Sequence, residues 1–203
     1  MITNKVSSAG TRRKDSDSFK LKESDMHDNN YSIKESADYF GWLEGKANFP
    51  LFNCGIRFQV KGNDELYARR CAEYIEGITA ENLSEYPVLN ALFGALGEYV
   101  IDLLDERGED FELGDFAYDE DSPITDLLKA ITPAGLTFER FGYLSEEDCP
   151  PAFSLKLSFD PVPDELMEIA LHGDVAVYAG EFRGVSPWNE KLLKKKWNYA
   201  RNI

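Results

Sequence analysis

Twelve carboxylates fall between Glu98 and Asp126, a run of 29 residues that holds one cation, Arg107. Carboxylates at that density can do two kinds of chemistry: they can ligate a hard divalent cation, or they can present a negative surface to something positive. Asp115, Asp119, Asp121 and Asp126 carry suitable oxygen donors. Their order nevertheless lacks the Gly at the sixth position and the bidentate Glu at the twelfth that a helix-loop-helix calcium loop requires. No dedicated metal site is expected, only adventitious cation binding. The remaining chemistry is electrostatic docking, and its candidate residues are Glu98, Asp102, Asp105, Glu106, Glu109, Asp110, Glu112, Asp115, Tyr118, Asp119, Glu120 and Asp121. Phe111, Phe116 and Tyr118 interleave with these carboxylates. Rings in a charged rim either anchor an interface or pin a loop to its own core. Phe111 and Phe116 are read as pins, and Tyr118 is open between the two roles.

Other reactive residue types are sparse. Of the two histidines, His27 lies in a polar N-terminal stretch and His172 stands alone before Gly173, the setting of a hydrogen-bonded turn residue rather than a general base. No serine sits in a Gly-x-Ser-x-Gly elbow, and no glycine pattern matches a phosphate loop or a dinucleotide fingerprint. Neither catalysis nor a cofactor is expected. The three cysteines, Cys54, Cys71 and Cys149, are odd in number and at no metal-ligand spacing. Free thiols in a reducing, cytoplasmic setting follow.

Charge divides the chain of 203 residues into three parts. Residues 1–30 hold six Lys/Arg and five Asp/Glu and little apolar surface, and are expected to be a disordered leader without a signal peptide, in which Met26 offers an alternative start. Residues 31–186 are the expected acidic domain; the stretch 31–189 holds 11 cations against 31 anions. Residues 187–203 close the chain with Lys191, Lys194, Lys195 and Lys196. Apolar stretches such as Val88 to Leu96 are broken by Asn90 and Gly94 and fall short of a membrane span.

The elements that must position these groups follow from periodicity. Phe40 to Lys46 and Gly55 to Lys61 read as strands, the second alternating Ile56, Phe58 and Val60 with Arg57, Gln59 and Lys61. Gly62-Asn63 turns the chain, and Asp64 caps a helix carrying Tyr67, Cys71, Tyr74 and Ile75. Pro87 opens a second helix with one stripe, Leu89, Leu92, Phe93, Leu96, Val100, Leu103 and Leu104, closed by a left-handed Gly108. The carboxylates of its last turns occupy the solvent side. Pro123 to Ile131 reads as a short helix ended by Thr132-Pro133-Ala134-Gly135, and Leu136 to Tyr143 and Phe153 to Phe159 read as strands. A helical turn from Pro163 to Leu171, strands Val175 to Tyr178 and Glu181 to Val185, and a basic C-terminal helix opened by Ser186-Pro187 complete the reading. Irregular alternation without a βαβ repeat predicts an α+β single domain, a largely antiparallel sheet packed by helices.

Trp42-Leu43-Glu44-Gly45, Phe52 with the strand Ile56 to Val60, the helix pair, and His172-Gly173-Asp174-Val175-Ala176-Val177 together resemble an uncharacterised family of small acidic bacterial α+β domains. That family is similar to the immunity proteins encoded beside polymorphic toxins. The resemblance spans about residues 38–186 and implies a bacterial or phage-borne binding protein of the toxin-antitoxin kind. Where such domains carry an acidic residue just before His-Gly, this chain has Leu171, so no site at His172 is implied. The expected function is an acidic protein-binding domain that neutralises a basic partner such as a toxin or nuclease. The alternatives are a DNA-mimicking inhibitor and a housekeeping domain whose acidity serves solubility alone. The body is expected to bind neither nucleic acid nor membrane, and the sequence leaves the oligomeric state unknown.

Overall fold

The computed structural model describes residues 31–111, 113–140 and 151–203. The leader 1–30, Glu112, Cys149 and the end of the strand expected to reach Tyr143 lie outside the described residues. Seven strands lie side by side in chain order: β1 (Lys34–Glu35), β2 (Trp42–Phe49), β3 (Cys54–Lys61), β4 (Ile131–Glu139), β5 (Phe153–Phe159), β6 (Val162–His172) and β7 (Val175–Glu181). Neighbours are antiparallel except β3 and β4. That pair is parallel because the chain between them crosses over through α1 (Glu65–Glu76), α2 (Pro87–Arg107) and α3 (Ile124–Lys129). The fold is α+β with a mostly antiparallel sheet, as the sequence predicts.

Alternation decides which side of the sheet the helices cover. Ile56, Phe58 and Val60 of β3, and Phe153, Leu155, Leu157 and Phe159 of β5, are all buried on the helix side. Gly45 lies opposite Phe58 in the β2–β3 ladder, where an added Cβ would stand 2.6 Å from the ring. Only a glycine lets that ring lie across β2. Asp64 caps α1 as expected, its Oδ1 accepting from the Tyr67 N–H at 3.0 Å. The α2 stripe is buried from Leu89 to Leu103 against β6 and β7. By length and composition alone Pro87–Asp110 is apolar enough to cross a bilayer, a property the sequence reading did not find; in the fold the sheet takes up its apolar side.

Five sequence expectations are corrected. Gly108 is right-handed, with φ −58°, and leads into a 3-10 turn, Gly108–Asp110, whose first carbonyl accepts the Phe111 N–H at 3.2 Å. Thr132-Pro133-Ala134-Gly135 does not end a helix but lies inside β4, where an irregularity between Pro133 and Gly135 absorbs the proline. The helical turn expected from Pro163 is the strand β6, paired along its length with β5. Met167, Ile169 and Leu171 face the helices while Glu168 and Ala170 are buried on the other side, so burial on both faces erases the alternation that marks a strand. β7 is one continuous strand through Gly180. The basic tail is not an α-helix but two 3-10 turns, Glu190–Lys194 and Tyr199–Asn202, folded back over the sheet. Leu192 there joins Ala170, Val177 and Tyr178 in a small second core.

Glu168 ties this cover down. It is 1% exposed and accepts the Arg183 and Val185 backbone N–H groups, each at 3.1 Å. Burial pushes its carboxyl above the usual range, opposed by those N–H groups and by the charge of Lys156. A carboxyl raised on folding contributes stability that is complete below its unfolded pKa and is lost as pH rises through its folded one. Denaturant stability should therefore rise on mild acidification from about pH 7 to about pH 5, helped by relief of like-charge repulsion. Glu168→Gln should flatten that slope in parallel titrations; an unchanged slope would exclude Glu168 as its source.

Candidate functional site

The acidic surface is assembled at the C-terminal end of α2. The inward stripe leaves Glu98, Asp102, Asp105 and Glu106 on the outside, and all four are exposed. At about 100° per residue they share one ridge along the helix. Glu109 and Asp110 extend it through the 3-10 turn, and Asp115, Glu120 and Asp121 continue it along the following loop, all exposed. Glu112 lies outside the described residues.

Rings hold this loop in place. Phe111 is capped by the Arg107 guanidinium at 4.8 Å, and Phe116 meets Phe159 edge-on at 5.3 Å. Both behave as the expected pins. Tyr118 lies parallel to Phe116 at 6.5 Å, and its hydroxyl sits against α2 where a Cβ on Gly97 would approach to 2.7 Å. Its packing is thus within the molecule. Asp119 turns the chain, its Oδ1 accepting from the Ser122 hydroxyl at 2.8 Å and the Asp121 N–H at 3.1 Å.

Gly97 therefore sets how closely the loop approaches the helix. Replacing a mid-helix glycine by alanine ordinarily stabilises by about 0.5–1 kcal/mol. Gly94→Ala, whose Cβ meets nothing within 4 Å, should show that gain. Gly97→Ala should forfeit it and speed limited proteolysis between residues 113 and 121, because Tyr118 has to swing out. Equal stabilisation with unchanged proteolysis would show that Tyr118 does not fix the loop.

Counter-charge is directed away from the ridge. Arg107 reaches Glu165 of β6 at 3.4 Å, and Tyr99 donates to the same carboxylate at 2.9 Å. Asp126 pairs with Lys129 at 2.8 Å. Asp102 is engaged by the tail, accepting from the Tyr199 hydroxyl at 2.6 Å. Tyr99, Tyr118 and Tyr199 all have hydroxyls pushed up, by burial first and then by neighbouring carboxylates: Glu165 for Tyr99, Asp126 and Asp119 for Tyr118, Asp102 and Glu106 for Tyr199. Glu98, Asp105, Glu106, Glu109, Asp110, Asp115, Glu120 and Asp121 make no ion pair among the described residues.

The sequence reading missed further carboxylates at this end. Asp160 in the β5–β6 turn, where its N–H donates to the Ala130 carbonyl at 2.9 Å, and Asp164 beside Glu165 are both exposed. No local signal pointed to them, because burial on both faces of β6 erases the alternation of a strand. The sheet face turned from the helices has the opposite sign. It carries Lys34, Lys46, Arg57, Lys61 and Lys156, with Lys46 directly opposite Arg57; of its carboxylates, Glu44 and Glu139 are paired with Lys34 and Lys61, and the buried Glu168 lies opposite Lys156.

The other reactive residue types are held in structural contacts. His172 stacks on Trp188 at 4.5 Å, with its Nε2 3.1 Å from Glu190. Burial pushes the Cys54 and Cys71 thiols up, away from the thiolate a nucleophile needs. Among the described residues no group of three or more His, Cys, Asp or Glu side chains is arranged to hold a metal ion. No family model, curated protein or solved structure matches this chain.

Proposed function

We propose that the acidic end of the molecule is a docking surface for a basic protein, and that the chain acts as a single-domain, cytoplasmic bacterial immunity or inhibitor protein that neutralises a toxin or nuclease. The observation that carries this reading is the set of eight exposed ridge carboxylates that make no ion pair among the described residues, while Arg107, the one cation among them, is turned toward Glu165. Negative charge so concentrated steers a basic partner and accelerates its capture. The same field repels phosphates, so nucleic acid and anionic membranes are not the ligands proposed.

The test is capture on the immobilised full chain from its native host at low salt, elution by salt, and an amide-exchange footprint of the complex. Protection confined to residues 98–121 and the β5–β6 turn supports the reading. A basic DNA-binding protein as the captured partner would select the DNA-mimic form of it. A footprint on the open sheet face, or no salt-eluted partner, would overturn it.

A further inference from the structure

Among the described residues the sheet ends at β7, yet the outer edge of β7 is not open. Asn198, fully buried, lies along it: its Nδ2 donates to the Val177 carbonyl at 2.8 Å and its Oδ1 accepts the Ala179 N–H at 3.1 Å. These are two of the outward backbone groups that a neighbouring strand would satisfy. The same Oδ1 accepts the Ala200 N–H at 3.0 Å, which fixes the tail that delivers it. Ala200 is buried, and Tyr199 fastens the tail to Asp102. One amide side chain thus stands in for a strand.

The two edges of the sheet are protected differently. Beyond the two-residue β1, β2 carries Lys46, and its Asn48 N–H is taken by the Glu76 carboxylate at 3.0 Å. A charge in the middle of an edge discourages strand addition. β7 reads Val-Ala-Val-Tyr-Ala-Gly before Glu181 and has no charge along that run, in a body that is otherwise strongly acidic. Among the described residues its protection comes from the tail.

We propose that β7 is a latent pairing edge latched by Asn198, and that its occupant once the latch is lost is β7 of a second copy of this chain. Antiparallel pairing about a twofold axis at Tyr178 sets Val177 of one copy opposite Ala179 of the other. Each Val177 carbonyl then takes the Ala179 N–H of its mate, so the groups released by Asn198 satisfy each other. Two acidic bodies repel, so this dimer strengthens as salt rises. A basic partner on the carboxylate ridge responds in the opposite direction, which keeps the two proposals separable.

The test compares the full chain with Asn198→Ala and with Asn198→Ala/Ala179→Pro by sedimentation equilibrium at low and high salt. Circular dichroism checks the fold, and amide exchange is followed at Ala179. The wild type should be monomeric with Ala179 protected. Asn198→Ala should dimerise with concentration, more at high salt, and lose about tenfold of its Ala179 protection on dilution to monomer. The double variant should be folded and monomeric, since a proline at an edge position removes the donor that pairing needs. A folded Asn198→Ala that stays monomeric at every concentration would overturn the proposal. So would dimers that persist in the double variant, or a wild-type dimer that Asn198→Ala dissolves, which would mean exchange of tails. Should Asn198→Ala fail to fold, Asn198→Asp keeps the acceptor, loses the donor to Val177 and is expected to dimerise partially; a folded, monomeric Asn198→Asp would count against the latch.

Discussion

Neutralising Asp105, Glu106, Glu109 and Asp110 to Asn or Gln is expected to slow capture of a basic partner by about 10- to 100-fold at low salt, since electrostatic steering of that order is lost with the field that produces it. The four side chains are exposed and make no ion pair among the described residues, so their replacement removes charge without removing a contact. The fold should remain intact or gain slightly, because neighbouring carboxylates near a helix C-terminus repel one another and oppose the helix dipole. Dissociation should change less than association. As ionic strength rises past the physiological range, where screening acts within about 8 Å, the two proteins should converge. Stopped-flow association measured across a salt series gives the answer. Equal association at low salt would leave the segment as a solubility feature.

The largest stability effect is expected at Phe159→Ala, about 3–5 kcal/mol, the usual cost of emptying a buried aromatic site. Phe159 is fully buried at the end of β5, and Phe116 of the acidic loop meets it edge-on. Removing it opens a core cavity and also takes away the surface on which the loop rests. Phe116→Ala, at a half-buried position, should cost less while loosening the same loop. Denaturant midpoints combined with proteolysis of residues 113–121 separate the two effects. A loss below about 1 kcal/mol at Phe159 would mean that the core collapses around the site.

Much of this architecture is local enough to read from the chain. The alternation of β3 and β5, the Asp64 cap and the apolar stripe of α2 each depend on residues a few positions apart with one face buried, which is the condition for a clean period. The carboxylate ridge follows from the α2 stripe, because whatever the stripe leaves out faces water. Composition likewise predicts an acidic body, and the irregular order of strands and helices predicts the α+β class.

Where a segment is buried on both faces or closed by a distant partner, its own pattern says little. β6 reads as helical because Glu168 and Ala170 are covered by a tail that begins well beyond them in sequence. The tail abandons its expected helix for turns that place Asn198 on β7 and Tyr199 on Asp102, the latter 97 residues away. Sorting of charge belongs to the same class. Lys46 and Arg57 meet on the open sheet face, while Asp164 and Glu165 join the acidic end, through strand pairings that no local period encodes. Sequence by itself determined which faces of the individual elements are apolar and that the body is acidic. Only tertiary pairing decided where the charges gather and how the last edge of the sheet is closed, because both depend on contacts between segments far apart in the chain.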